Sequence, residues 1–274
     1  MLLFCYNLFM IINYLNGEAF IKDNSSYLKE NVFMSSFFFL DAPLLKESSN
    51  KNYALKVYSE NKKLLALKVE PYYVLLYGDV ELVKELVVYI KENELEVNGI
   101  YSSLEVGNEY TRLVDSLYNQ KFFLQLGMDF METKEYTEPS SKEVMTATLD
   151  DVDELYECLV NFVKDCSLND EVTKESIIKG IERFRIIKDG QRIISLASRT
   201  PESEESIRIT DVYTRPEYRG QGFARKVVNT TKNEILEQGK MATLNVNQAN
   251  PISNHLYKSL GFVKVFSRGI FLPK

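Results

Sequence analysis

The sequence predicts a mixed α/β fold with a mixed sheet, and two observations carry that prediction. In the second half, apolar runs typical of strands alternate with helical apolar spacing in the order β-α-α-β-β-β-α-β-α-β. The first half echoes that order, with a hairpin, a strand, a helix, a strand, a helix and a strand in succession. We therefore expect strands of both orientations, covered by helices.

The length of 274 residues allows one large domain or two of ordinary size. Residues 131–143 are polar, contain Pro139, Ser140 and Ser141, and lack periodicity. We place a domain boundary there, with an N-terminal domain over residues 1–135 and a C-terminal domain over residues 143–274.

Net charge and residue counts exclude some functions and favour others. The net charge of −6 argues against a general nucleic-acid binder, which depends on excess Lys and Arg. A local basic cluster predicts instead a small anionic ligand, and its members are Arg215, Arg219, Arg225 and Lys226. A single histidine, His255, excludes a site built from several histidines, and we expect no metal.

Three cysteines without a CxxC pair fit a reducing compartment, so we expect a cytoplasmic protein with buried thiols. The first fifteen residues are apolar, but no basic residue precedes the run, and Asn7 and Asn13 interrupt it. The run is also too short to span a bilayer. We interpret it as a core strand or helix, and expect no membrane association.

The elements of the first half follow from periodicity and turn residues. Helical spacing covers residues 17–47, with a break expected at Ala42 before Pro43. Asp79 is a candidate N-cap for a helix through residue 93, and residues 108–119 are also helical. Strands are predicted at residues 53–58, 64–69, 72–77, 95–101 and 122–130.

The second half begins with a strand over residues 144–148. Asp150 and Asp151 are candidate caps for the helix that follows, and another helix comes after residues 169–170. Asp189-Gly190 predicts a type I′ hairpin turn. Further strands are predicted at residues 207–214, 243–246 and 262–266, with helices after Gly222 and Asn250 that end at Gly239 and Gly261.

A strand, a short glycine loop and a helix start, in that order, make a site for a phosphate. The first turn of a helix has N–H groups without intrahelical partners, and its dipole favours an anion. Gly220 and Gly222 lack a Cβ, so the backbone can approach a pyrophosphate. Arg219 and Arg225 add positive charge beside the loop.

Two motifs give a family resemblance. The run from Arg219 to Ala224 (R-G-Q-G-F-A) fits the pattern Q/R-x-x-G-x-G/A, and residues 250–262 fit N-x6-Y-x3-G-F. From Val144 to the end, the chain resembles the GNAT superfamily of N-acetyltransferases, in its glycine-N-acyltransferase-like branch. The resemblance implies a GNAT acyltransferase fold for this half, with acetyl-CoA or another acyl-CoA as acyl donor.

The resemblance also assigns roles to residues. Main-chain groups of Val212, Tyr213 and Thr214 would bind the pantetheine arm, and Asn250 would hydrogen-bond that arm unless it is only an N-cap. Tyr257 would protonate the departing thiolate, unless it is a packed aromatic beside Phe262. The pyrophosphate would be cradled by Arg219, Gly220, Gln221, Gly222, Phe223, Ala224 and Arg225.

A general base is not identified. Asn245 stands where some members of the superfamily have a glutamate, and an amide cannot accept the proton. Asp211 and Glu217 are nearby candidates, but each also fits a role as strand-end or loop surface charge. His255 is a poor candidate, because helical rotation turns it away from Tyr257.

The first half has no phosphate loop, and Asp79 and Glu81 would repel a pyrophosphate at the matching helix start. Leu117-Tyr118 with Phe123 mirrors Leu256-Tyr257 with Phe262, so we expect a degenerate GNAT-like domain. An unrelated α/β domain is the alternative.

The predicted activity is acetyl transfer from acetyl-CoA to a primary amine of a small molecule or amino acid. Two alternatives stay open. One is a CoA-binding module without catalysis. The other is a protein or peptide acetyltransferase whose acidic loop, residues 202–205, attracts a basic peptide, although that loop also fits solvated surface. A homodimer is compatible with the sequence.

Overall fold

The computed structural model describes residues 9–30, 32–166 and 171–274, without the side chains of residues 32–34. Two compact units divide the chain. One runs to Met128 and includes Phe266–Lys274, and the other is Asp129–Val265. The N-terminal apolar run forms a strand from Met10, whereas residues 1–8 lie outside the described part.

The first unit is built on strands and helices that the sequence largely predicted. Its strands are Met10–Tyr14 (β1), Tyr53–Tyr58 (β2), Lys63–Lys68 (β3), Val74–Gly78 (β4), Ile100–Ser103 (β5) and the first part of Phe122–Thr133 (β6). Its helices are Gly17–Glu30 (α1), Val32–Asp41 (α2), Val83–Glu92 (α3) and Leu104–Tyr118 (α4). The break expected at Ala42 is a single turn of 3₁₀ helix.

The second unit contains the remaining elements. Its strands are Met145–Thr146 (β7), Phe184–Asp189 (β8), Arg192–Pro201 (β9), Ser206–Thr214 (β10), Met241–Asn247 (β11) and the start of Val263–Pro273 (β12). Its helices are Val152–Asp165 (α5), Lys174–Lys179 (α6), Phe223–Glu237 (α7) and Pro251–Ser259 (α8). Both halves therefore have the element order β-α-α-β-β-β-α-β-α-β.

Strand pairing in the first unit is mixed. Strands β1 to β4 are antiparallel neighbours, and β4 pairs in parallel with β5 through Val74 and Ile100. The end of β12 is the antiparallel partner of β5. Alternate residues bury both faces of the sheet, since Leu55 packs with α3 and α4, whereas Ala54 packs with α1 and α2.

Strand pairing in the second unit follows the same plan. Strands β7, β8, β9 and β10 are antiparallel neighbours, and β10 pairs in parallel with β11. Helices α7 and α8 cover one face, and α5 and α6 cover the other. The predicted mixed α/β fold is confirmed.

Three predicted details in the first unit differ from the structure. Asp79 does occupy the N-cap position, of a 3₁₀ turn that leads into α3, but its carboxylate makes no capping bond and accepts instead from the Lys63 N–H at 2.8 Å. The fifth strand starts at Ile100 rather than Leu95, since Gly99 has φ +155°. Helix α4 begins earlier than predicted because Ser103 caps it, accepting from the Val106 N–H at 3.3 Å.

Caps and turns also correct details in the second unit. Thr148 is the N-cap ahead of α5, and Asp151 completes the capping box by accepting from the Thr148 N–H at 2.9 Å. Gly190 has φ +59° at the first central position of the β8–β9 turn. A type I′ turn also needs positive φ at the second central residue, Gln191, which has none, so the turn is type II′ and the predicted type I′ turn is wrong.

The polar stretch predicted as a boundary is docked on α7 within the second unit. We call residues 134–143 the strap. The Asn233 amide donates to the Glu138 carbonyl at 2.9 Å and to Ser140 Oγ at 3.1 Å, and Asn229 donates to the Pro139 carbonyl at 3.0 Å. The compact units divide at Asp129, ahead of the strap. The domain limits 1–135 and 143–274 stay a prediction.

The described residues lack both a membrane-spanning helix and a metal-binding cluster. No helix there has both the length and the apolar composition needed to cross a membrane. In the same part of the chain, no group of three or more His, Cys, Asp or Glu side chains is placed to hold a metal ion.

Gly107→Ala should destabilise the first unit. A Cβ at this position of α4 would lie 2.1 Å from Cε2 of Phe271, a ring buried in the core. Overpacking costs about 1–3 kcal/mol, more than the ~1 kcal/mol that alanine gains over glycine in a helix. Thermal unfolding should show a lower Tm. Gly180→Ala is the control, since it meets only the flexible Arg183 side chain. A Gly107→Ala Tm at or above wild type would contradict this packing.

Candidate functional site

The candidate site begins where strands β10 and β11 part. Their parallel pairing runs from Ser206 opposite Met241 to Ile209 opposite Leu244, and the described ladder ends there, before β10 itself ends. On its other edge β10 stays paired with β9, but the register shifts between Thr210 and Tyr213. This bulge, together with the early end of the ladder, opens a gap between two parallel strands.

Asp211 sets the bulge. Its φ of +51° is a left-handed conformation, which aspartate tolerates better than most residues. Its carboxylate accepts hydrogen bonds from the hydroxyls of Ser198 and Thr210. The side chain suggested as a base is thus part of the local structure of the strand.

The strand end beyond the bulge is firmly held on the β9 side. The Ser195 hydroxyl lies 2.8 Å from Thr214 Oγ1 and 3.2 Å from the Tyr213 carbonyl oxygen. The Tyr213 side chain is buried in the core, and Val212 packs against α7 and α8 from the opposite face. The edge that faces β11 can accept an extended ligand as an added strand.

The glycine loop has the geometry that the motif predicted. Gly220 has φ +77° and Gly222, the N-cap of α7, has φ +83°. Apart from the glycines and their neighbours in the chain, no heavy atom of the described residues lies within 4 Å of the point that a Cβ would occupy at either glycine. The loop is therefore open beside the first turn of α7, where N–H groups lack intrahelical partners.

Arg219 links the loop to the neighbouring strand and helix. Its Nε donates to the Thr214 carbonyl at 2.9 Å, and its Nη2 lies 2.6 Å from Asp165 of α5. Arg215 is buried and bonded to the Ile193 carbonyl, Glu154 and Glu157. These two members of the predicted basic cluster fasten the strand end to α5, a role that the sequence did not reveal.

The other two basic residues are paired with the strap. The Arg225 Nε lies 2.9 Å from Glu138, and its Nη1 donates to Ser259 Oγ of α8 at 2.6 Å. The Lys226 ammonium lies 2.6 Å from Glu143. Neither glutamate was predicted as part of the site, since acidic charge within a polar, aperiodic stretch was the only signal that the sequence carried for them.

The remaining loop side chains pack locally. The Gln221 amide donates to the Glu217 carbonyl at 3.3 Å. The Phe223 ring meets the Tyr218 ring edge to face at 6.2 Å, and Ala224 is half-buried. Gln221 itself is exposed, and the two glycines leave the loop backbone accessible.

Tyr257 is the packed aromatic of one prediction, and its role as a proton donor stays a prediction. Its ring is 6% exposed and meets Phe262 at 6.1 Å, as a packed core aromatic would. Burial raises the pKa of its hydroxyl well above the usual value, with a smaller contribution from Cys166. Within the described residues, no group forms a hydrogen bond with that hydroxyl. The Tyr257 hydroxyl is therefore protonated at neutral pH, and its proton is not engaged in a hydrogen bond with a described residue.

Asn250 is the N-cap of α8. Its Oδ1 accepts from the Ser253 N–H at 3.0 Å, which matches the capping alternative. A contact with the pantetheine arm stays a prediction.

Among the residues that the structure describes, no general base is identified either. Glu217 forms an ion pair with Arg192 at 2.9 Å, and Asp211 is bonded as described above. His255 is exposed, whereas Tyr257 on the same helix is buried, as helical rotation predicted. Glu202 is not solvated surface, because it pairs with Arg208 and accepts from Thr243 Oγ1 at 2.6 Å.

Comparisons with known proteins agree with this geometry. The family model described as FR47-like protein matches residues 192–269, which include the glycine loop and α8. A GNAT-family acetyltransferase from Colwellia psychrerythraea is 13% identical, with a TM-score of 0.61, over 96% of this chain and 99% of that one. The chain has the GNAT acetyltransferase fold.

A second GNAT structure supports the same conclusion over nearly the full length. A GCN5-related N-acetyltransferase from Sphaerobacter thermophilus is 14% identical, with a TM-score of 0.60, over 96% of this chain and 94% of that one. At such identities the likeness shows the shared GNAT fold. No curated protein matches the sequence.

Gly222→Glu should prevent CoA binding while leaving the chain folded. The new carboxylate would enter the open loop and repel phosphate there. The positive φ of Gly222 makes the substitution cost about 1 kcal/mol of stability. Isothermal titration with CoA measures the binding. Gly190→Glu is a matched control, since Gly190 also has positive φ and open space but lies in the β8–β9 turn. Wild-type CoA affinity in Gly222→Glu would refute the loop assignment.

Proposed function

We propose that the chain is an acyl-CoA-dependent N-acetyltransferase that acetylates a primary amine of a small molecule or amino acid. The observation that carries this proposal is the gap between β10 and β11 beside an open glycine loop at the start of α7. Acetyl-CoA is the proposed acyl donor, and another acyl-CoA is the alternative donor.

The donor fits the residues around the gap. Gly220 and Gly222 leave room for a pyrophosphate, and the backbone N–H groups of residues 220–225 supply donors and the favourable end of the helix dipole. The edge of β10 at residues 212–214 would pair with the amide groups of the pantetheine arm. Asn250 would add a contact through the part of its amide not used in capping.

The chemistry is a direct transfer. A neutral amine attacks the thioester carbonyl, the C–N bond forms, and the C–S bond breaks. A backbone N–H at the parted end of β10 would stabilise the negative charge on the carbonyl oxygen. Tyr257 would give its proton to the departing thiolate, and the proton lost from the amine would pass to solvent.

The first unit supports the proposal of a degenerate second copy. Gly78 stands where the loop would begin, but a Cβ there would lie 2.0 Å from the Lys63 carbonyl oxygen, so the position is filled. Asp79 bonds the Lys63 N–H, and Glu81 pairs with Lys62 at 2.5 Å. This corner is closed and acidic, unlike the loop at Gly220.

A CoA-binding module without catalysis is the second candidate. Asn245 favours it, because this residue lies on β11 just beyond the last residue paired with β10 and carries no carboxylate. A peptide acceptor is less supported, since Glu202 is already engaged by Arg208.

Release of free thiol from acetyl-CoA, measured with a panel of primary amines, tests the proposal. The wild-type chain should release thiol in an amine-dependent manner. Tyr257→Phe should bind CoA nearly as well but lower kcat by about a hundredfold, since a positioned acid contributes that much or more. A binding module would release thiol only at the rate of hydrolysis. An unchanged kcat in Tyr257→Phe would remove Tyr257 from the mechanism.

The rate should also show a specific pH dependence. A raised pKa means that the Tyr257 hydroxyl stays protonated at pH values where an ordinary tyrosine, with a pKa of ~10, has ionised. The ratio of wild-type to Tyr257→Phe kcat should therefore stay constant from about pH 8 to pH 11, a range over which an ordinary tyrosine would lose roughly nine-tenths of its protons. A ratio that declines across this range would show that the proton is lost earlier than burial predicts.

A further inference from the structure

Two cations flank the open glycine loop, and both are paired with carboxylates of the strap. Arg225 and Lys226 lie in the first turn of α7 and contact Glu138 and Glu143 at 2.9 and 2.6 Å. An anion at the loop would therefore meet positive charge that is already partly neutralised.

The strap holds its position without these ion pairs. Three amide hydrogen bonds from Asn229 and Asn233 fix the backbone at Glu138 and Pro139. The Ser141 N–H donates to Thr230 Oγ1 at 3.0 Å, and the buried Lys232 ammonium donates to Thr137 Oγ1 at 2.8 Å. The glutamates are thus kept beside the loop by contacts made further along α7.

Both ion pairs are partly exposed, so another anion can replace the carboxylate in each. The side chains of Arg225 and Glu138 are 39% and 35% exposed, and pairs at such sites are weak. The atom of Glu138 that contacts Arg225, Oε1, is itself buried, and among the described residues no donor gives it a well-formed hydrogen bond. The pyrophosphate of CoA carries two negative charges and more acceptor oxygens than one carboxylate, so it can displace a carboxylate from a cation.

We infer that Glu138 and Glu143 compete with the phosphates of the acyl donor for Arg225 and Lys226, so that the strap sets the donor affinity. The inference rests on the proposed function, because it assumes that the loop binds CoA. Glu138 and Glu143 would lower the affinity for CoA at this site. Release of the product CoA would be faster for that reason.

The direct test is a calorimetric titration of CoA into the full chain carrying Glu138→Gln and Glu143→Gln together. Each substitution should tighten binding about threefold, and the pair about tenfold, at low salt. The gain should shrink in 0.5 M salt (roughly a 4 Å screening length), because screening weakens exposed charges. The amide contacts remain, so Tm should stay close to wild type.

Glu237→Gln is the matched control. It removes one negative charge from the exposed far end of the same helix, roughly 20 Å from Phe223. That distance exceeds the screening length of about 8 Å at physiological salt, so its CoA affinity should equal that of wild type.

A double-mutant cycle with Arg225→Gln identifies the contact. Glu138→Gln should tighten CoA binding in the wild-type background and have no effect once Arg225 is absent. If the wild type binds CoA and the double glutamine variant binds it equally or more weakly, the inference is wrong and the proposed function stands. If the wild type binds no CoA, the proposed function fails and the inference with it.

Discussion

The departure of β10 from β11 is the constraint on which the rest of the second unit depends. Parallel pairing would continue to the end of both strands if β10 were regular, and no gap would exist. Asp211 in left-handed conformation prevents this, at a cost of about 1–3 kcal/mol. Hydrogen bonds from Ser198 and Thr210 to its carboxylate hold that conformation. The same bulge directs residues 212–214 along the gap towards the glycine loop.

Positive charge near the loop serves mainly to fix the structure. Arg215 and Arg219 join the end of β10 to α5, while Arg225 joins α7 to the strap and to α8. In the proposed function the phosphates would therefore be held mainly by backbone N–H groups and glycine conformation, because Arg225 and Lys226 are already paired with the strap.

Local signals in the sequence predicted much of this architecture. Gly220, Gly222 and Gly261 are needed at positive φ, so the loop and the end of α8 could be located from residue type alone. Contacts between residues distant in the sequence could not be located in this way. Asp79 is a residue type that often caps helices, yet its carboxylate accepts a hydrogen bond from the backbone N–H of Lys63 on β3. The strap lacks periodicity because its order comes from α7, ninety residues away in the chain.

A crystal structure of the full chain with CoA tests the central claim most directly. The account predicts a pyrophosphate at the N–H groups of residues 220–225, a pantetheine arm along residues 212–214, and the sulfur within hydrogen-bond reach of the Tyr257 hydroxyl. Density for CoA elsewhere on the chain would contradict it. A pantetheine arm lying away from the parted edge of β10 would do so as well.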